Sequence, residues 1–405
     1  MREPLHDLLL DADWRAVAEE LIPGGASTGS KRAAALLGAD AQGPTHFVRA
    51  DGCVVETASG RTLIDCTMAL GAVAIGYADR DITHAVIAAV RDGTVSGLSP
   101  LKEVQLAEHL IDMIPCAEQV RFLKTGAEAG AAAVRLARAA TGRAHVIACG
   151  YFGWLDWSSD EAGVPASTRV LCHRIPFDDV AALDATVREV EAQPDGLAAI
   201  IVEPIVEVLA RPEWFAAIRA HCDRTGAVFI VDEVKTGFRV RPGGVHDLLQ
   251  FTPDLAVFGK AMANGFPLAA VVGRQAIMEV AARTWISSTL ASETASLAAA
   301  LAVLAWHDRM DVCTRLEHIG RDLQHQVARA LREAGATDLA IRGVPQMWGL
   351  SGPATRIDAL VTRAIEHGVL LKRGYYHFAA LAHDPSHLST IGDAVHTAAR
   401  AVGPA

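Results

Sequence analysis

Short apolar runs alternate with helix-like segments from about residue 120 onwards. The runs are 120–124, 145–149, 197–204, 227–234, 254–259 and 269–273. They are apolar on both faces, as expected of strands in a parallel sheet that is covered on both sides. The segments between them, at 127–142, 178–193 and 212–226, have apolar residues at helical spacing. This alternation predicts an open α/β fold with a mostly parallel central sheet flanked by helices.

The two ends of the chain have a different pattern. Residues 1–21 carry acidic side chains throughout and predict an amphipathic helix. A long helical pattern at 292–310 is followed by more mixed sequence that ends in a helix-like segment at 388–402. We therefore predict a large domain at 61–309, with a smaller α/β lobe formed by the termini: an N-terminal segment at 1–60 and a C-terminal small domain at 310–405.

Composition narrows the range of functions. The chain has 405 residues, 51% of them hydrophobic, which is enough for a large core. A formal charge of −10 argues against a general affinity for nucleic acid or anionic membranes, so small-molecule partners are expected. The seven scattered cysteines include no C-x-x-C pair and predict neither a disulfide framework nor a metal site. No signal peptide or membrane span is recognisable, so we expect a cytoplasmic protein.

Candidate chemistry lies where the apolar runs end, because ligands of open α/β sheets bind beyond the carboxyl ends of the strands. After Lys124, the residues Thr125, Gly126 and Ala127 open a helix and offer backbone N–H groups to an anion such as phosphate. The alternative is an ordinary strand-to-helix turn. Asp232 follows the apolar residues at 227–231, where a carboxylate needs a cation or several donors. Its alternatives are a helix cap or a buried salt bridge.

Lys260 follows the run at 254–259 and precedes small residues. A lysine shielded in this way has a lowered pKa, which makes its neutral amine a nucleophile towards an aldehyde. The alternative is a lysine that extends to solvent at the edge of the sheet. Pyridoxal 5′-phosphate (PLP) requires a phosphate-binding site, an acid partner for its ring nitrogen and a nucleophilic amine. The residues above are candidates for all three.

The motifs that contain these residues resemble class III aminotransferases of fold type I. They are FLKTGAEAG at 122–130, CGYFGWLDW at 149–157, VEP at 202–204, VDEVKTGFR at 231–239, PDLAVFGKAMANGFPLAAVVG at 253–273 and SSTLASETASLAAA at 287–300. The IPGG segment at 22–25 is similar to the glutamate-1-semialdehyde aminomutase branch of that family. The resemblance extends from about residue 20 to the end of the chain.

This resemblance implies a role for each residue of the site. Lys260 is expected to form the Schiff base with PLP and to shuttle the proton, and Asp232 to pair with the pyridinium nitrogen. Tyr151 and Val234 are expected on opposite faces of the ring, with Glu203 positioning the surroundings. Thr125, Gly126 and Ala127 are expected to bind the phosphate, together with Thr289 from a second subunit. The last role implies a homodimer with shared active sites.

The sequence also departs from the family pattern. Family members usually have histidine where this chain has Phe152, and an apolar residue at position 235, where Lys235 is predicted to be a solvated charge at a turn. Lys31 or Arg32 is expected to replace the arginine that binds a substrate carboxylate in the aminomutases. Tyr375 occupies the place of an aminomutase glutamate, so Tyr375, Tyr376 and His377 are candidates for contact with substrate or for packing. Phe152 is a further substrate-side candidate.

We therefore predict a PLP-dependent aminotransferase with a ping-pong mechanism that moves an amino group from a donor amino acid to a ketone or aldehyde. Similar sequences with a glutamate at the position of Glu293, in STLASE, are associated with sugar or specialised metabolism. The alternative is an isomerase on the same cofactor, either a 2,1-aminomutase or an amino acid racemase. A cofactor-free binding subunit is disfavoured because Lys260, Asp232 and Tyr151 are all present.

Overall fold

A computed structural model describes residues 10–38, 43–249 and 251–403. Its strands are β1 (Phe47–Asp51), β2 (Val54–Thr57), β3 (Thr62–Asp65), β4 (Gln119–Leu123), β5 (His145–Cys149), β6 (Cys172–Arg174), β7 (Leu197–Val202), β8 (Ile205–Val206), β9 (Val208–Leu209), β10 (Val228–Asp232), β11 (Leu255–Phe258), β12 (Ala269–Gly273), β13 (Ala340–Val344), β14 (Met347–Ser351), β15 (Val369–Leu370) and β16 (Tyr375–Phe378).

The α-helices are α1 (Asp11–Leu21), α2 (Ala33–Leu36), α3 (Arg80–Asp92), α4 (Leu101–Met113), α5 (Gly126–Thr141), α6 (Ala166–Arg169), α7 (Val180–Glu191), α8 (Pro212–Thr225), α9 (Val245–Leu248), α10 (Gln275–Met278), α11 (Thr294–Arg309), α12 (Val312–Glu333), α13 (Ala354–Glu366) and α14 (Pro385–Val402). The predicted N-terminal helix corresponds to α1, and the part of that prediction at 1–9 lies outside the described residues.

The chain divides into two compact units. One comprises residues 80–313. The other, the terminal unit, combines residues 1–79 with 314–405. This division differs from the predicted boundaries at 60 and 310. Residues 61–79 group with the terminal unit because β3 pairs with β2 on one side and with β15 on the other.

The unit at 80–313 is built on a seven-stranded sheet with the order β4-β12-β11-β10-β7-β5-β6. Strands β11, β10, β7, β5 and β6 pair in parallel, which confirms the predicted mostly parallel sheet. The run at 269–273 was also predicted to be a parallel strand, and this is wrong. It forms β12, which is antiparallel to both β11 and β4.

Both faces of this sheet are buried, which explains the uninterrupted apolar runs. Along β5, Val146 and Ala148 face the cluster that contains Ala133 of α5. Ile147 faces the opposite cluster, which contains Leu183 of α7 and Trp214 of α8. Because strand side chains alternate between faces, a strand covered on both sides needs an apolar residue at every position.

The terminal unit contains two small sheets. In one, β1, β2 and β3 are antiparallel and β15 adds to β3 in parallel. In the other, β13, β14 and β16 are antiparallel. Helices α13 and α14 contact each other in the same unit. Among the helices of the described residues, none is long and apolar enough to cross a membrane.

Candidate active site

The ends of three neighbouring parallel strands bring together the main candidate residues. Glu203 directly follows β7, Asp232 ends β10, and Lys260 follows β11 after Gly259. Val231 is in register with Val202, and Asp232 is in register with Val257. The three side chains therefore start from the same edge of the sheet, where ligands of such sheets bind.

Lys260 is held in an unusual backbone conformation. Its φ of 47° lies in the left-handed region, which residues other than glycine seldom adopt. Burial disfavours the ammonium, and the nearby Lys235 repels it. Together they lower the pKa of Lys260 to about 8, although Asp232 and Glu203 act in the opposite direction. A substantial fraction of Lys260 is therefore a neutral, nucleophilic amine near pH 8.

Asp232 is a buried carboxylate at the end of β10. One of its oxygens, Oδ1, accepts a hydrogen bond from the backbone N–H of Val234 at 2.9 Å. Burial, reinforced by repulsion from Glu203, raises the pKa of Asp232 to about 7, while Lys260 and Lys235 oppose this rise. The carboxylate therefore favours a cationic or hydrogen-bond-donating partner.

Glu203 connects two loops next to these residues. Its Oε2 accepts a hydrogen bond from the backbone N–H of Tyr151 at 2.9 Å, and its Oε1 lies 2.8 Å from Nζ of Lys235. Gly150 packs directly on Glu203, because a Cβ built at this glycine would lie 2.6 Å from Cγ of Glu203. The Tyr151 side chain is 71% exposed. An exposed ring is thus carried by a backbone that Glu203 holds in place.

The prediction that Lys235 is a solvated charge is wrong. Its side chain is only 11% exposed and forms a buried ion pair with Glu203. A signal for this pair was present, since the acid of VEP and the lysine of DEVK follow adjacent strands of the predicted sheet. The pair was not predicted because the burial of a turn residue depends on the side chains that follow the neighbouring strand.

The loop at the start of α5 forms a small cradle. Thr125 is the N-cap, and its Oγ1 accepts the N–H of Glu128, whose carboxylate accepts the N–H of Thr125 in return. The N–H groups of Gly126 and Ala127 have no acceptor among the described residues. These free donors and the positive end of the helix dipole suit an anion.

Two close contacts join this cradle to the other loops. A Cβ built on Gly126 would lie 2.9 Å from Cγ1 of Val234, and one built on Gly153 would overlap Cβ of Ala127. The start of α5, the loop after Asp232 and the loop after β5 are therefore packed together at one place.

Two other candidates in the unit at 80–313, Phe152 and Thr289, have their side chains outside that group of packed loops. Phe152 is buried, with its ring 5.5 Å from that of Trp157 and Arg174 above it at 5.4 Å. The side chain packs into the core, and its role as a substrate-side residue stays a prediction. Thr289 lies on an exposed loop and lines a cavity of about 390 Å³ together with Ser96, Leu98 and Glu293. Glu293 caps α11 and forms an ion pair with Lys124 at 2.9 Å.

The remaining candidates belong to the terminal unit. Lys31 is exposed and lines a cavity of about 390 Å³ together with Asp65 and Tyr77. The Arg32 side chain lies against Gly24, where an added Cβ would meet Nε at 2.8 Å.

The aromatic residues of β16 are partly or fully packed. Tyr375 packs against Gly349, and Tyr376 is partly buried with its ring 6.0 Å from that of Phe378. His377 is fully buried and stacks on Trp348 with ring centroids 4.3 Å apart. His377 therefore fits the packing alternative. Burial and Lys372 lower the pKa of His377 to about 3, so it stays neutral.

The comparisons with known proteins agree with this chemistry. The family model for class III aminotransferases matches residues 38–379. The chain belongs to this family. This aminotransferase is 32% identical, over 82% of its length and 80% of the other protein, to a 3-aminobutyryl-CoA aminotransferase of Cloacimonas acidaminovorans. It is 31% identical to a 2′-deamino-2′-hydroxyneamine transaminase of Streptomyces kanamyceticus, over 89% and 91% of the two chains. A glutamate-1-semialdehyde 2,1-aminomutase of Methanothermobacter thermautotrophicus is 30% identical, over 92% and 94%.

Solved structures also match this aminotransferase along almost its whole length. The PLP internal aldimine form of the FumI protein from Sphingopyxis sp. MTA144 has a TM-score of 0.91 at 27% identity, and the match covers 97% of this chain and 96% of that one. The fold is therefore that of fold type I PLP transaminases, and PLP is the cofactor. The described residues fit the cofactor. Lys260 is an amine of lowered pKa, and Asp232 is a buried acid that needs a hydrogen-bond donor. The start of α5 offers free N–H groups at a position where Gly126 has no side chain.

Proposed function

We propose that this aminotransferase carries out intermolecular transamination with Lys260 as its catalytic amine and Asp232 as the acid that supports the cofactor ring. The observation that carries the proposal is the placement of these residues at the ends of the adjacent parallel strands β11 and β10. The lowered pKa of Lys260 supports the same role, because a neutral amine can both attack a carbonyl carbon and accept a proton.

Each loop at this edge has a task in the proposal. Bound PLP supplies an aldehyde and an electron sink for the chemistry. Thr125, Gly126 and Ala127 would hold its phosphate at the start of α5, with the free N–H groups of Gly126 and Ala127 as donors. Asp232 would pair with the ring nitrogen, and Tyr151 and Val234 would lie on the two faces of the ring. Nζ of Lys260 would move the proton to and from the substrate carbon.

The substrates are an amino acid donor and a ketone or aldehyde acceptor, used alternately in a ping-pong mechanism. Similarity to a 2′-deamino-2′-hydroxyneamine transaminase supports an acceptor from specialised or sugar metabolism. Lys31 and Arg32 are the candidates for binding a substrate carboxylate, and Tyr375 and Tyr376 for contacts with the rest of the substrate. Seven unpaired thiols support a reducing compartment such as the cytoplasm.

We further propose that the enzyme works as a homodimer, with Thr289 completing the phosphate site of the neighbouring subunit. Large apolar side chains on the unit at 80–313 are exposed, and among them Leu98 lines the same cavity as Thr289. Others are Leu101, Trp154, Trp285 and Leu290. An exposed apolar side chain beside Thr289 is consistent with a surface that another chain covers.

Absorbance spectroscopy of the cofactor-loaded enzyme tests the proposed reaction. Amino donors are added one at a time without a carbonyl acceptor, and the products are identified by chiral chromatography. We expect at least one donor to bleach the visible band, to release its keto product, and to have the band restored by a carbonyl acceptor. Isomerised or racemised donor without any keto product would instead establish the isomerase alternative, which the aminomutase relative represents.

A Lys260→Ala variant completes this test. It should lose turnover by at least about a hundredfold, the usual contribution of a positioned acid–base group. Lys102→Ala, in α4, is the matched control and should keep it. Full turnover in Lys260→Ala would overturn the proposal.

A further inference from the structure

Lys235 and Glu203 form a buried ion pair beside the proposed catalytic residues. Nζ of Lys235 lies 2.8 Å from Oε1 of Glu203, and the two side chains are 11% and 4% exposed. Two charges withdrawn from water to this extent depend on each other, because removal of one leaves the other buried and uncompensated. Burial of such a pair has a desolvation cost, and its place beside the proposed catalytic residues points to a role there.

The pair forms part of a continuous series of contacts. Lys235 stands three residues after Asp232, in the turn that follows β10. Through Glu203 it connects to the backbone N–H of Tyr151, which Oε2 of Glu203 accepts at 2.9 Å. Gly150 lies against the same carboxylate, because a Cβ built there would be 2.7 Å from Oε2 of Glu203. Displacement of Glu203 would therefore release the backbone that carries the Tyr151 ring.

The pair also balances the charges around the site. The ionisable groups that act on Asp232 and Lys260 are Glu203, Lys235 and Arg239, besides each other. Glu203 favours the protonated forms of both residues, whereas Lys235 favours the carboxylate of Asp232 and the neutral amine of Lys260. These are the forms that the proposed reaction uses. Without Lys235, the charge of Glu203 would have a larger net effect on both groups.

We propose that Lys235 is a positioning residue of this aminotransferase: by pairing with Glu203 it fixes the backbone of Tyr151 and sets the charge balance around Lys260 and Asp232. The proposal rests on the catalytic roles proposed for those two residues. It assigns a function to a lysine that does not itself need to touch the substrate.

The test compares Lys235→Met with the double variant Lys235→Met/Glu203→Gln in the PLP-loaded enzyme. The primary readout is the pH midpoint of the visible absorbance change, measured together with kcat, KM and the dissociation constant of PLP. Lys235→Met should raise the midpoint by about one pH unit, the scale on which a nearby charge shifts a pKa. We expect kcat to fall on the order of tenfold or more, with a smaller change in KM.

The double variant distinguishes a charge effect from lost packing. It removes both charges, and the amide oxygen that Glu203→Gln introduces can still accept the Tyr151 N–H. Its midpoint should return towards that of the wild type. Lys235→Arg keeps the charge and should stay near the wild-type midpoint, and Lys102→Met is the control outside the site. If Lys235→Met fails to fold, the double and arginine variants still carry the comparison.

Three results would overturn the proposal. One is a wild-type midpoint and kcat in Lys235→Met with only a lower melting temperature, which means a purely structural pair. Another is a midpoint in the double variant as far displaced as in Lys235→Met. The third is a midpoint in Lys235→Arg displaced as far as in Lys235→Met. Failure of the proposed function is separate: there, Lys260→Ala would retain the wild-type visible band and turnover.

Discussion

The absence of a side chain at Gly126 lets Val234 pack closely against the start of α5. A Cβ at this position would lie 2.9 Å from Cγ1 and 3.0 Å from Cγ2 of Val234, whose branched side chain cannot move aside without a shift of its backbone. We predict that Gly126→Ala weakens PLP binding on the order of tenfold, since overpacking of this kind costs about 1–3 kcal/mol. Fluorescence titration of the cofactor-free protein with PLP measures the effect.

Two variants make this prediction specific. Gly97→Ala is the matched control, because a Cβ there meets nothing within 4 Å. In a Val234→Ala background the clash partner is gone, so Gly126→Ala should cost less affinity than it does alone. Equal losses in both backgrounds would show that the contact with Val234 is not the cause.

The residues of the site differ in how far the sequence could locate them. Asp232 and Lys260 each follow an uninterrupted apolar run, and that pattern alone placed them at the edge of the sheet. The burial of Lys235, Phe152 and His377 was not predictable in the same way, because it depends on contacts that spacing along the chain does not specify, with Glu203, Trp157 and Trp348 respectively. Periodicity reports the face of an element and carries no information about which partner lies opposite.

At the scale of elements, α11 begins at a carboxylate with two tasks. Glu293 accepts the N–H groups of Ala295 and Ser296 and also pairs with Lys124 at the end of β4. Burial acts to raise the pKa of Glu293, but the hydrogen bonds from Ser296 and Lys124 outweigh it and lower this pKa overall. The helix start is thereby fixed to the strand that leads into the Thr125 cradle.

We predict that Glu293→Ala lowers the free energy of unfolding by about 1–2 kcal/mol, the usual cost of a lost N-cap. Glu293→Asp should recover the cap but not the longer reach to Lys124. Because the pKa of Glu293 is lowered in the folded state, its contribution is present above the ordinary pKa and is lost as the pH falls through the folded value. Urea unfolding at neutral and acidic pH measures this.

The control for this prediction is Glu213→Ala, an exposed acid in the first turn of α8. It should change stability by no more than about 0.5 kcal/mol. A Glu293→Ala variant that matches this control at neutral pH would contradict the assigned role.

Element type was more predictable than strand direction and connection. The runs at 145–149, 197–204 and 227–234 correspond to β5, β7 and β10, and the predicted helices between them correspond to α7 and α8. The direction of β12 was not predictable, since an apolar run reads the same in a parallel and an antiparallel strand. The short strand β6 at the sheet edge has no comparable apolar run and was not predicted.

At the scale of the whole molecule, the proposed exchange of Thr289 between subunits makes a prediction about mixed dimers. Lys260→Ala lacks the amine of its own site but carries an intact Thr289. Thr289→Asp retains Lys260 but places a carboxylate at a proposed phosphate site. If Thr289 serves the neighbouring subunit, a mixed dimer has one complete site, because the Thr289→Asp subunit receives its threonine from the Lys260→Ala partner.

Each variant alone should be nearly inactive, while equal amounts dissociated and reassembled together should recover about a quarter of wild-type activity, since half of the dimers are mixed and each has one working site of two. Lys260→Ala mixed with Asp232→Asn is the control. Both of these residues act within one subunit, so no complete site forms and activity should stay at the level of the single variants. Equal recovery in both mixtures, or none with Thr289→Asp while native mass spectrometry shows mixed dimers, would contradict a Thr289 that acts across the subunits.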